Sequence, residues 1–180
     1  INGVTLSELF QTVKIFGSTT FCSFHAACLI IILESLQELG IIHRDIKPEN
    51  ILLTKNGYPK LIDFSCCKKI DTNQTRTLIG SPLFISPEVL KGQGYSYSCD
   101  YWGIGVLIFF MFFGEFPFGS RTSTPDKIYE EIINKKLNFN MNETHGKKHG
   151  GNVIREEKIK ELKNIIEILL NKNAEERMKH

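Results

Sequence analysis

From Tyr101 to Gly114 the chain carries no charged residue, and Ile108, Phe109, Phe110, Met111, Phe112 and Phe113 follow one another within that stretch. A bilayer span takes about 17 to 25 apolar residues, whereas runs of about 10 to 14 are buried core helices. The segment is therefore expected to form a helix at the centre of a domain, with the rest of the chain arranged around it. At 180 residues, 42% of them hydrophobic and 23% charged, the chain can bury such a core. This excludes a disordered, collagen-like or linker protein.

Periodicity supplies the neighbouring elements. Leu29, Ile32, Leu33 and Leu36 follow helical spacing, and Gly40 suits a left-handed cap, so a long helix is predicted to end near Leu39. Ile51, Leu52 and Leu53 lead through Asn56-Gly57 into Lys60, Leu61 and Ile62, which predicts a small antiparallel hairpin. Thr124, Pro125 and Asp126 read as N-cap, N1 and N2 of a helix carrying Ile128, Ile132 and Ile133. Leu162, Ile165, Ile166 and Leu169 mark another amphipathic helix. The polar stretch Asn138–Asn152, rich in Gly and Lys, is expected to be a mobile insert. The expected total is about six helices and one hairpin.

Charge and cysteine usage narrow the function. With 22 Lys and Arg against 20 Asp and Glu, the formal charge is +2, which gives no support to nucleic-acid binding. Five cysteines without a CxxC spacing read as reduced thiols of a cytoplasmic protein. No basic region precedes an apolar stretch at the start, and the first residue is Ile1, so the expectation is no signal peptide, no membrane partner, and a chain cropped from a longer one.

The chemistry sits in His43-Arg44-Asp45-Ile46-Lys47-Pro48-Glu49-Asn50 and, after the hairpin, in Asp63-Phe64-Ser65. A lone Asp in a loop is ordinarily a turn residue or solvated charge; the joint spacing across the hairpin reverses that reading. The two strings resemble the catalytic loop and metal-binding motif of protein kinases. The resemblance implies that Asp45 orients an acceptor hydroxyl and takes its proton, that Lys47 neutralises the transferring phosphate as in Ser/Thr kinases, and that Asn50 and Asp63 ligate Mg²⁺ from either side of the hairpin. It also implies that His43 and Phe64 belong to an apolar column linking the lobes of the domain.

Other segments resemble the same family in order. In Ile79-Gly80-Ser81-Pro82-Leu83-Phe84-Ile85-Ser86-Pro87-Glu88, Ser81 would bond the catalytic Asp and Lys, while Leu78, Pro82 and Ile85 would form an apolar substrate pocket. Asp100, opening the central helix, would hold the catalytic loop, and Arg177 would pair with Glu88. Glu8 would meet the ATP ribose, with Leu9 and Leu52 against adenine. Glu49 would favour a basic substrate residue, a preference blunted because Phe110 and Leu83 stand where relatives carry carboxylates. Thr77 would be the activating phosphosite with Arg44 as its partner, and Thr75 is the nearest rival. Ser65 replaces a Gly whose backbone freedom Ser lacks.

The resemblance is closest to the cyclic-nucleotide-dependent kinases, especially protist cGMP-dependent protein kinases, through Asn2-Gly3-Val4-Thr5-Leu6, Cys66-Cys67-Lys68-Lys69, Thr75-Arg76-Thr77-Leu78-Ile79-Gly80 and Phe116-Pro117-Phe118-Gly119. The expected fold is the protein kinase α+β fold. Residues 1–180 would be its mainly helical C-terminal lobe, because no Gly-rich loop or strand Lys precedes the catalytic loop. The implied cofactors are ATP and Mg²⁺. The implied partners are Ser/Thr-bearing protein substrates, an N-lobe and upstream cyclic-nucleotide-binding domains. The alternative is a non-catalytic pseudokinase or a truncated interaction module.

Overall fold

A computed structural model describes residues 3–13, 15–70, 77–139 and 156–177. Along them run β1 (Gly3–Thr5), α1 (Leu6–Thr12), α2 (Thr19–Glu38), β2 (Ile41–Ile42), β3 (Ile51–Thr54), β4 (Pro59–Leu61), β5 (Lys68–Lys69), α3 (Pro87–Leu90), α4 (Ser98–Phe113), α5 (Pro125–Asn134), α6 (Glu156–Leu169) and α7 (Ala174–Arg177). Short 3-10 turns lie at Pro48–Asn50, Phe64–Cys66 and Pro82–Phe84.

The uncharged stretch forms α4, in which every residue except Tyr101 is buried. Gly114, at φ 75°, ends the helix in the left-handed region that glycine adopts without steric cost. Two glycines let other elements approach α4 closely. A Cβ at Gly103 would stand 2.8 Å from Cβ of Ile46, and one at Gly105 would stand 2.9 Å from Cβ of Leu169. The first contact seats the loop carrying Asp45 on α4; the second seats α6.

Helix α2 is capped by Ser18, whose Oγ accepts the Phe21 N–H, and stops before Gly40 at φ 72°. It is long and apolar enough to cross a bilayer by length and composition alone, but its buried Cys22, Ala26, Leu29, Leu33 and Leu36 join the core built on α4. Burial pushes the Cys22 thiol up to about 12, as befits a packed core side chain.

Strands β3 and β4 form the expected antiparallel hairpin, with Leu52 opposite Lys60 and Gly57 at φ 82° in the turn. The expectation of a single hairpin is corrected by two further pairings. Strand β1 lies antiparallel on β3, with Val4 opposite Leu53, and β2 pairs with β5, Ile41 opposite Lys69. Strands of two or three residues are too short to display alternation, so their pairing follows from where the chain brings them. Thr124 precedes α5 in extended backbone and Pro125 follows at N1, yet the Thr124 side chain makes no capping bond. The insert expected at Asn138–Asn152 lies outside the described residues from position 140 onward, as does Thr75.

Candidate active site

The loop before the hairpin is tied to the first turn of α4 by one carboxylate. Asp100 Oδ2 accepts the His43 N–H at 2.7 Å, and Oδ1 accepts the Arg44 N–H at 2.7 Å. Arg44 sits at φ 69°, a left-handed conformation that costs an L-residue about 1–2 kcal/mol and is held here by these bonds. Its Nε donates to the Cys66 carbonyl at 2.6 Å, bracing the loop from the other side. Burial raises the Asp100 carboxyl to about 6, even though both N–H donors favour its ionised form.

This anchoring places Asp45, 7% exposed, at the meeting point of three segments. Its Oδ1 accepts the Ser81 N–H at 3.1 Å and the Ser81 hydroxyl at 3.0 Å. Its Oδ2 lies 2.6 Å from Lys47 Nζ and accepts Asn50 Nδ2 at 2.9 Å. Lys47 also donates to Ser81 Oγ at 3.1 Å, so Ser81 bridges the carboxylate and the ammonium as expected. Asn50 spends its Nδ2 on Asp45, which leaves its amide oxygen as the atom a cation would take.

Asp63 lies at the far end of the hairpin. The Ile62 N–H donates to the Asn50 carbonyl at 2.9 Å, which draws the two candidate metal ligands toward each other. Asp63 is exposed, at φ 60°, and its Oδ1 accepts both the Ser65 hydroxyl at 2.6 Å and the Ser65 N–H at 3.2 Å. Those two bonds hold its carboxyl below the usual range. The left-handed residue of the motif is Asp63, while Ser65 lies in a 3-10 turn with no positive φ. Phe64 meets the buried His43 ring edge-on at 5.2 Å, and burial lowers the His43 pKa. His43 Nε2 lies 3.2 Å from the Ile62 carbonyl.

A second buried pair closes the base of this region. Arg177 Nη1 and Nη2 reach the two Glu88 oxygens at 2.7 and 3.2 Å, and Nη1 also donates to the Ser98 carbonyl at 2.8 Å. Burial pushes the Glu88 carboxyl up, but the hydrogen bonds and charge of Arg177 outweigh it and leave the group below its ordinary value.

Other expected site residues serve the fold in this structure. Glu8 caps its own helix, accepting the Thr5 N–H at 2.8 Å while the Glu8 N–H donates to Thr5 Oγ1. Leu9 packs on the main core, and Leu52 is buried beneath β1, where Gly3 leaves room for it. The apolar pocket expected from Leu78, Pro82 and Ile85 is not assembled. Leu78 is 59% exposed, whereas Ile85 is buried with Ile42, Val89, Tyr95 and Cys99. Pro82 instead lines an open groove beside Lys47 and Glu49. Among the described residues no hydrogen bond joins Arg44 to Thr77, whose carbonyl accepts the Tyr95 hydroxyl at 2.6 Å.

Two features were missed in the sequence. Ser7 Oγ donates to Glu49 at 3.1 Å, and Arg121 stands over the Phe110 and Phe116 rings. The first joins segments 42 residues apart in the chain, and the second depends on how the chain turns back over the end of α4 after Gly114.

The profile of the protein kinase domain matches residues 1–180. A cGMP-dependent protein kinase from Plasmodium berghei is 40% identical over 138 residues, 76% of this chain and 16% of the relative. One from Toxoplasma gondii is 38% identical over 138 residues, 76% of this chain and 14% of the relative. A cAMP-dependent protein kinase catalytic subunit from Schizosaccharomyces pombe is 40% identical over 116 residues, 64% of this chain and 22% of that protein. The matched segment is thus a minor part of each relative's length.

Proposed function

The chain belongs to the protein kinase domain family, and from that premise we propose that it is the mainly helical C-terminal lobe of a Ser/Thr protein kinase. Joined to an N-terminal lobe, it would transfer the γ-phosphoryl group of ATP to Ser or Thr hydroxyls of proteins. The observation that carries this reading is the convergence of Lys47, Asn50 and Ser81 on the Asp45 carboxylate.

Phosphoryl transfer asks little covalent chemistry of a protein; it needs an aligned hydroxyl and offset negative charge. Asp45 orients the acceptor hydroxyl and receives its proton as the oxygen bonds to phosphorus and ADP leaves. Lys47 sets a cation beside the same carboxylate and offsets charge on the phosphoryl oxygens. Ser81 holds the two in register across the segment that follows the hairpin. Asn50 and Asp63 offer an amide oxygen and a carboxylate, a donor set that would suit Mg²⁺. When bound, the ion neutralises charge on the ATP phosphates.

Glu8, Leu9 and Leu52 remain the proposed nucleotide-facing residues, and Thr77 the proposed phosphosite. Cyclic-nucleotide control of the whole protein rests on the resemblance to the cGMP- and cAMP-dependent kinases. The test is radiolabel transfer from ATP to protein substrate by the full-length protein, with and without Mg²⁺. Transfer that needs Mg²⁺ supports the reading. A correctly folded full-length protein that transfers nothing would leave a non-catalytic interaction module.

A further inference from the structure

An open groove of about 410 Å³ runs beside the candidate catalytic residues, between the Pro82–Phe84 turn and the segment ahead of α5. Its charged lining residues are Lys47, Glu49 and Arg121, and the three differ in how far they are committed. Lys47 is paired with Asp45 and bonded to Ser81. Glu49 is exposed and accepts one hydroxyl, from Ser7. Arg121 is exposed and has no ion pair among the described residues.

Arg121 is nonetheless held in place. Its guanidinium carbon lies 5.6 Å from the Phe110 ring centroid and 6.0 Å from that of Phe116, and the two rings stack on each other at 4.6 Å. Its backbone belongs to a tied turn. The Ser123 N–H donates to the Ser120 carbonyl at 3.1 Å, and the Ser120 N–H donates to Ser123 Oγ at 3.2 Å. The preceding Gly119 N–H donates to Glu131 at 3.0 Å. A guanidinium whose aromatic seat is already built offers its N–H fork to a planar anion at little ordering cost.

Resting on the kinase reading above, we infer that Arg121 is a specificity-determining residue that takes a carboxylate side chain of the protein substrate lying in this groove, near the phosphoacceptor. Glu49, of opposite sign in the same groove, takes a basic residue at a different substrate position. Phe110 and Phe116 supply no carboxylate that would compete for Arg121. The groove therefore selects a substrate segment of mixed charge rather than a run of basic residues.

The test uses the full-length protein with ATP and Mg²⁺ on matched Ser-containing peptides, each carrying Asp, Ala or Arg at one position around the acceptor. At one position Asp is expected to exceed Arg in kcat/KM by about two- to fivefold, expressed in KM, as a solvent-exposed ion pair provides. Arg121→Lys should keep part of that preference, and Arg121→Glu should reverse it at that position alone. Transfer with the same Asp-to-Arg ratio at every position in the parent and in Arg121→Glu overturns the assignment of Arg121 while leaving the kinase reading intact. Absence of transfer to every peptide by the parent overturns the kinase reading, and this assignment with it.

Discussion

Asp45 and Asp63 stand at opposite ends of one hairpin in opposite surroundings. Asp45 is 7% exposed, and its carboxylate is held by Lys47, Asn50 and Ser81, the last reached from beyond the hairpin. Its loop hangs from Asp100, which is 4% exposed and more than 50 residues further along the chain. Asp63 is exposed, and the bonds its carboxylate accepts come from Ser65, two residues on. The first site is assembled by the tertiary fold before any ligand arrives; the second is shaped by its own turn. A group that must orient a hydroxyl within tenths of an ångström gains from the former. A group that meets a hydrated cation can do with the latter.

The comparison breaks most visibly at Asp45 itself. Asp45→Asn keeps the shape but removes the proton acceptor, so phosphoryl transfer by the full-length protein should fall by about 10²- to 10⁴-fold. A radiolabel assay that finds transfer within a factor of two of the parent would remove Asp45 from the chemistry.

The buried side should also fail hard in stability. Arg177→Ala strands the Glu88 carboxylate, which Arg177 holds through both of its oxygens. The expected cost is about 3–5 kcal/mol, read by urea unfolding. A variant that unfolds at the parent's urea midpoint would show that the pair does not clamp the region.

Asp100 makes the contrast depend on pH. Its folded value of about 6 stands above the ordinary 3.8, so the folded chain binds this proton more readily than the unfolded chain. Its contribution to stability is therefore largest at low pH and declines as pH rises from about 4 to about 6. Activity should run the other way, because the ionised carboxylate is what accepts both the His43 and Arg44 N–H groups. Transfer should drop as pH falls through about 6, and Asp100→Asn should flatten the stability dependence across that window. Glu88, held below its ordinary 4.5, contributes in the opposite sense: its stabilisation is present above that value and is lost as pH falls through its lowered one.

The smallest effect is expected on the exposed side. Ser65→Gly removes the 2.6 Å bond to Asp63 without relieving any left-handed strain at position 65. The urea midpoint should stay where it is, while an NMR titration shows the Asp63 carboxyl moving up toward its ordinary value. An unmoved Asp63 titration would show that Ser65 does not hold it.

What the sequence determined by itself is whatever a short window or a recognisable string can carry. The uncharged run became α4 because a segment with no charge and too little length for a bilayer has only the interior to occupy. The Asn56-Gly57 turn and the stop at Gly40 followed from left-handed φ values that glycine adopts without steric cost. The motif strings marked the contacts of Ser81 with Asp45 and Lys47, of Asp100 with the loop, and of Arg177 with Glu88, and the structure has these contacts; it also draws Lys47 and Asn50 onto Asp45. Tertiary structure alone decided the pairing of β1 on β3 and of β2 with β5, since strands this short are ordered by their partners rather than by their own pattern. It also decided that Ile85 joins the core while Leu78 faces solvent, and that Arg121 rests on Phe110 and Phe116. Such contacts depend on the path by which the chain turns back onto α4 and onto Ile42, and no hydrophobic periodicity encodes which side chain a turn sets beside another.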